Sequence, residues 1–159
     1  MLSPAGLLLR GASRCLPLTR HVPFVIQRLA LQQSLNRLFA VPVADGAFDI
    51  LRDRWLCLKV RDLQLQWFLT CTDAGLQVAA RAPAQVSISG NWSDFLLLAS
   101  RQEDPDTLFF RRRLVIEGDT ELGLAIKNLL DSLDPDDLPP WFWTVLQRLG
   151  QEQKLRAAN

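Results

Sequence analysis

Three consecutive arginines, Arg111, Arg112 and Arg113, stand between the pair Phe109-Phe110 and the segment Leu114 to Asp119. Clustered guanidinium groups are the pattern of a phosphate clamp, and aromatics beside them are the pattern of a single-stranded nucleic-acid groove. In an extended segment, however, alternate side chains point to opposite faces, so Arg111 and Arg113 share one direction and Arg112 takes the other. The run is then not one three-armed clamp, and a solvated strand entry is the reading favoured over a functional one, since charged residues project from a strand's wet side. The rest of the sheet-forming sequence has no matching basic face, so no nucleic-acid partner is expected. A metal centre or a Cys-His nucleophile pair needs convergent ligands, but His21 is the single histidine and lies far in sequence from any cysteine motif. No nucleophile elbow and no glycine-rich phosphate loop occur; Gly118 stands alone, with Asp119 and Glu121 already at the place a phosphate would take. Side-chain catalysis, a metal and a cofactor are therefore not expected.

The charge of the chain is balanced, 18 basic against 17 acidic residues, but its distribution is not. Residues 1–44 contain no Asp or Glu and carry Arg10, Arg14, Arg20, Arg28 and Arg37, which leaves 13 basic against 17 acidic residues for the remainder. A basic, apolar arm before an acidic body fits contact with an anionic lipid surface or an acidic partner, and an ordinary solvated helix fits it as well. The apolar run Leu7 to Leu9 is shorter than a secretory core needs and lacks a charged leader, so secretion is not expected. No run approaches the ~18 apolar residues of a membrane span, so the sequence reads as soluble or peripheral. Cys15, Cys57 and Cys71 are an odd set without close pairs and read as small hydrophobes in a reducing compartment.

The elements that would position these residues follow from periodicity. Phe24, Leu31, Leu35, Leu38 and Phe39 recur at helical spacing and predict a helix from Pro23 to Phe39. A shorter helix is expected over Asp45 to Asp53. Trp55 to Val60, Leu65 to Cys71, Leu76 to Ala80 and Gln85 to Ser89 alternate as strands, the second and third joined by the tight loop Thr72-Asp73-Ala74-Gly75. Gly90 to Asp94 offers caps for a helix containing Phe95-Leu96-Leu97-Leu98, too many bulky residues for one buried stripe. Asp104 to Thr107 predicts a turn, and Arg113 to Glu117 a fifth strand. Leu122, Ala125, Ile126, Leu129, Leu130 and Leu133 predict a broad helical face capped by Asp119 or Thr120. After the proline-rich segment Asp134 to Pro140, a last helix from Trp141 to about Arg156 carries Trp141, Phe142 and Trp143. These three cannot share one helical face. The organisation expected is an arm over 1–22, a body over 23–138 and a Trp-rich helix over 139–159.

Two-faced strands, a four-bulky helix and an aromatic tail give more apolar surface than a small sheet covered on one side requires. Extra helices closing the core would absorb it; a pocket for an oily ligand would use it. The strings RWLCLKVRDLQLQWF, from Arg54 to Phe68, and DPDTLFFRRRLVIEGDTELG, from Asp104 to Gly123, resemble the sterol carrier protein type 2 (SCP2) family, over roughly Phe48 to Leu133. They are similar in particular to a bacterial branch that serves as an accessory factor in oxygen-independent ubiquinone biosynthesis.

The resemblance implies an α+β fold: a five-stranded, mostly antiparallel sheet covered by helices around a hydrophobic lipid cavity, here with extra N- and C-terminal helices. It implies a non-enzyme that binds a prenylated quinone precursor or a phospholipid and cooperates with the iron-sulfur hydroxylase subunits UbiU and UbiV. Trp67, Leu69, Phe95, Leu98, Phe109, Phe110, Leu122 and Ile126 are the candidate lipid-binding residues. Arg10, Arg14, Arg20, Trp141, Phe142 and Trp143 are candidates for membrane or lid contact. The expected location is cytoplasmic and peripheral to the inner membrane, with a homodimer as an open option. A general lipid carrier, a lipid-modifying enzyme and a single-stranded RNA binder are the alternatives.

Overall fold

The computed structural model describes residues 22–158; Arg10, Arg14, Cys15, Arg20 and His21 lie outside the described residues. Helix α1 spans Phe24–Leu38 with Pro23 at its entrance, as the spacing predicts. The segment that follows differs from expectation. In place of one helix over Asp45 to Asp53 there is a short helix α2, Ala40–Ala44, and a single 3₁₀ turn, Asp49–Leu51. Gly46 and Asp53 both adopt positive φ, which interrupts the chain on either side of that turn. A residue in the left-handed region cannot continue a right-handed helix, so regular structure between the two is confined to that single turn.

Five strands follow the expected order along the chain: β1 Leu56–Val60, β2 Leu65–Thr72, β3 Gly75–Ala79, β4 Val86–Gly90 and β5 Val115–Gly118. They lie in the spatial order β3-β2-β1-β4-β5, with β1 and β4 parallel and the other neighbours antiparallel. The register sets the faces. Leu56, Leu58, Trp67, Leu69, Cys71, Leu76, Val78, Val86, Ile88 and Ile116 fall on one side, while Cys57, Lys59, Phe68, Thr70, Ser87, Ser89 and Glu117 fall on the other. The first side carries the core: Leu56, Cys71, Leu76, Val86 and Ile88 cluster with Leu51 and with Leu122 and Ile126 of a covering helix.

That helix, α5, spans Thr120–Ser132, and its N-cap is Asp119, whose Oδ1 accepts the Leu122 N–H at 2.8 Å. A Cβ on Gly123 would lie 2.6 Å from Ile116 Cγ2, so glycine there lets the helix axis settle directly on the sheet. Helix α3, Trp92–Ala99, follows β4, and the Asn91 N–H before it donates to Asp94 Oδ2 at 3.2 Å.

The arginine run corrects the extended reading. Asp104 caps a short helix α4, Pro105–Phe110, by accepting the Thr107 N–H at 3.1 Å. Arg111 ends that helix, Arg112 turns the chain at φ 55°, and β5 starts at Val115 rather than Arg113. A six-residue helix is too short to show its period, so the Asp-Pro signal reads as a bare turn in sequence. The Arg113 guanidinium folds back onto Asp94 instead of projecting from a strand.

The last helix, α6, spans Pro140–Ala157 and rests on the end of α3. A Cβ on Gly150 would fall 2.0 Å from Ser100 Oγ, so this contact requires glycine. Lys154 Nζ adds a hydrogen bond to the Gln102 carbonyl at 2.9 Å.

Candidate functional site

The 3₁₀ turn and α5 are some 70 positions apart in sequence, yet they form the two walls of a cleft. It is an open cleft of about 420 Å³, lined by Asp49, Ile50, Arg52, Arg54, Glu121, Leu122 and Ala125. Its floor is apolar: Leu122 is 1% exposed and belongs to the core cluster, and Ile50 packs against that cluster. Its rim is charged. Arg52 Nε donates to Asp49 Oδ1 at 2.7 Å and Arg52 Nη1 to Asp73 Oδ1 at 2.5 Å. These bonds, the one to Asp73 first, hold the guanidinium even further above neutrality than usual. Arg54 has no carboxylate partner among the described residues and is the rim's uncommitted cation. An apolar floor beneath a charged rim is suited to an amphiphile, with its chain inward and its polar head at the mouth.

The sequence-derived candidates divide into groups. Leu122 lines the cleft itself, and Ile126, one turn on, lies in the cluster beneath. Phe95 and Phe109 pack against the same cluster from α3 and α4. Leu69 and Trp67 share the core side of β2, Leu69 buried and Trp67 half-buried with an indole Nε1 that is fully enclosed and has no acceptor among the described residues. Leu98 is half-buried on α3. Phe110 departs from the group: it ends α4 and is 90% exposed.

The aromatic tail is similarly split. Trp141 is exposed and meets the Phe142 ring edge-on at 5.7 Å, while Phe142 and Trp143 are half-buried. None of the three lines the cleft. Arg10, Arg14 and Arg20 lie outside the described residues.

Sequence reasoning missed Ile50, Arg52, Arg54 and Ala125. The string Arg52-Asp53-Arg54 is an ordinary turn composition, and only its packing against α5 gives it a site. Among the described residues no group of three or more His, Cys, Asp or Glu side chains is placed to hold a metal ion. Cys57 and Cys71 are free thiols on opposite faces of the sheet, and burial raises the pKa of both.

Residues 32–131 match the model of the SCP-2 sterol transfer family. The "Ubiquinone biosynthesis accessory factor UbiT" of Escherichia coli (strain K12) is 49% identical over 128 residues, 80% of this chain and 74% of that protein; UbiT of Escherichia coli O157:H7 matches to the same extent. Among solved structures, "UbiJ-SCP2 Ubiquinone synthesis protein" superposes with a TM-score of 0.55 at 20% identity, covering 69% of this chain and 97% of that one, a likeness of fold. The five-stranded sheet with its single parallel pair, the covering helices and the family match over most of the body lead to one assignment: the chain belongs to the SCP-2 sterol transfer family.

Proposed function

We propose that this protein is a non-catalytic lipid-binding accessory factor of ubiquinone biosynthesis. It takes up a prenylated quinone precursor or a phospholipid and presents it to the UbiU and UbiV hydroxylase subunits of the oxygen-independent route. The observation that carries the reading is the cleft whose floor residues Ile50 and Leu122 join the apolar core, with Ala125 beside them in its lining, while its rim bears Arg52 and Arg54. The chain's likeness to UbiT, an accessory factor of ubiquinone biosynthesis, supports the pathway.

Burying a CH₂ group from water is worth about 0.8 kcal/mol, but a prenyl chain is already dry in a bilayer. Transfer from membrane to cleft is therefore close to neutral, which suits a presenter better than a sink. A cytoplasmic protein peripheral to the membrane fits this task. No helix among the described residues is long and apolar enough to cross a membrane. Support for surface contact comes from α1, where Val25, Ile26 and Leu29 form an exposed apolar row, with Val22 two residues ahead of the helix also exposed, within a stretch of sequence that has no acidic residue.

The test is organic extraction and native mass spectrometry of the purified protein, with binding of a fluorescent prenyl probe. Lipid should be recovered, and Ala125→Trp, which fills the cleft, should reduce both recovery and probe binding while the melting temperature holds. Absence of lipid together with absence of probe binding would sink the reading. Turnover of a prenylphenol by the isolated chain would replace it with a lipid-modifying enzyme.

A further inference from the structure

Helix α6 turns one face to α3, and the opposite face is left uncovered by the other described residues. Along that outer face lie Trp141, Val145, Arg148, Glu152 and Leu155, spaced i, i+4, i+7, i+11 and i+14. This is the alternating four-and-three spacing of a helix-pairing seam. The apolar members are open to solvent: Trp141 is 68% exposed, Val145 43% and Leu155 67%. From Val145 to Leu155 the order is apolar, basic, acidic, apolar. That pattern is complementary to itself when reversed.

We infer that this face of α6 is the seam of a two-fold homodimer, in which α6 of one protomer packs antiparallel on α6 of its partner. A dyad midway between Arg148 and Glu152 sets Val145 of each chain against Leu155 of the other. It also sets each Arg148 against the opposing Glu152, so one geometry satisfies two apolar and two ionic contacts. A two-fold axis requires one patch to match itself, and the reversed order meets that requirement. A parallel pairing would instead place Arg148 on Arg148 and Glu152 on Glu152, which like-charge repulsion opposes. Glu152 is also engaged within its own protomer, so the contact across the dyad is shared rather than exclusive. The packing of Gly150 against Ser100 on the opposite side fixes the rotation of α6, and the seam thus faces outward before any partner arrives. An 18-residue helix is about 27 Å long. A contact of that length belongs to the small class of interfaces, so the dimer forms with rising concentration rather than permanently.

The test is analytical ultracentrifugation of the full chain, combined with disulfide trapping. Weight-average mass should rise from monomer toward dimer with concentration. Arg148→Glu should weaken the association about tenfold or more, since Glu would then face Glu, and the double variant Arg148→Glu/Glu152→Arg should restore it. In a background with Cys15→Ser, a mixture of Val145→Cys and Leu155→Cys proteins should cross-link under mild oxidation faster than either variant alone. Circular dichroism of each variant checks that α6 is still folded. A chain that stays monomeric at every concentration overturns the inference, and so does cross-linking as fast within each single variant as in the mixture. Loss of liposome binding on Trp141→Ala in a chain that is always monomeric would assign the face to lipid instead.

Discussion

Asp94 in the first turn of α3 and Arg113 at the entrance to β5 form an ion pair with a buried carboxylate and a half-buried guanidinium: Arg113 Nε and Nη2 reach Asp94 Oδ1 at 2.6 and 2.5 Å, with the carboxylate side chain 5% exposed. The other carboxylate oxygen accepts the Asn91 N–H, and the Arg113 carbonyl accepts from Arg61. The pair thus ties the helix after β4 to the turn before β5. Removing Arg113 strands a carboxylate in the interior, whereas Asp94→Asn leaves a guanidinium that water can still reach. Arg113→Ala should therefore cost about 2–4 kcal/mol in urea denaturation, and Asp94→Asn less. If Arg113→Ala changes stability by no more than an exposed arginine would, the pair does not lock the turn.

The edge of the sheet is closed by side chains rather than by another strand. Asn36 Nδ2 donates to the Leu76 carbonyl at 2.8 Å and Asn36 Oδ1 accepts the Leu76 N–H at 2.9 Å, while Gln32 Oε1 accepts the Val78 N–H at 3.1 Å. One turn of α1 thereby mimics a sixth strand. Asn36→Ala should destabilise the protein by about 1–3 kcal/mol and bare an unpaired edge that promotes aggregation. Light scattering during thermal unfolding, beside a denaturation curve, reads both effects; a neutral substitution would show that water serves the edge equally well.

Trp67 places a buried indole N–H on the core side of β2 without an acceptor among the described residues. Trp67→Phe removes the donor and keeps an aromatic ring, so stability should hold or rise, by at most about 1 kcal/mol. If a ligand oxygen is the missing acceptor, the same change should weaken binding of a prenylated phenol and leave a plain acyl chain unaffected. Equal losses for both ligands would make Trp67 a packing residue only.

Burial raises the thiol pKa of Cys57 and of Cys71 above the ordinary 9.0, with the charges of Lys59 and Arg52 respectively opposing it. A raised thiol pKa means the folded state keeps its proton where the unfolded chain has lost it. Stability from this source is complete below pH 9.0 and falls as pH rises through the folded values. The two thiols should resist a disulfide-exchange reagent at pH 8 in the native protein and react once it is unfolded. Fast labelling of either site in the native state would contradict their burial.

The periodic features were legible without any fold. Alternation marked four strands and part of the fifth, and the apolar face from Leu122 to Leu130 marked α5, because burial on one side of a regular element imposes a period on the sequence. The resemblance carried by the strings around Leu58 and Gly118 gave the family. What escaped was set by contacts between distant residues. The turn at Asp49–Leu51 becomes a cleft wall only where α5 packs beside it, and α4 is shorter than the period that would reveal it. Arg113 has the composition of a surface cation and ends as the partner of a buried carboxylate, while Asn36 and Gln32 pass for solvated helix positions and instead complete the edge of a sheet. Amino-acid type and spacing determine which elements form and which side of each is apolar. Which polar group meets which, and where the apolar surface opens to a ligand, depends on how the chain brings together residues 20 to 70 positions apart, and tertiary packing alone decides that.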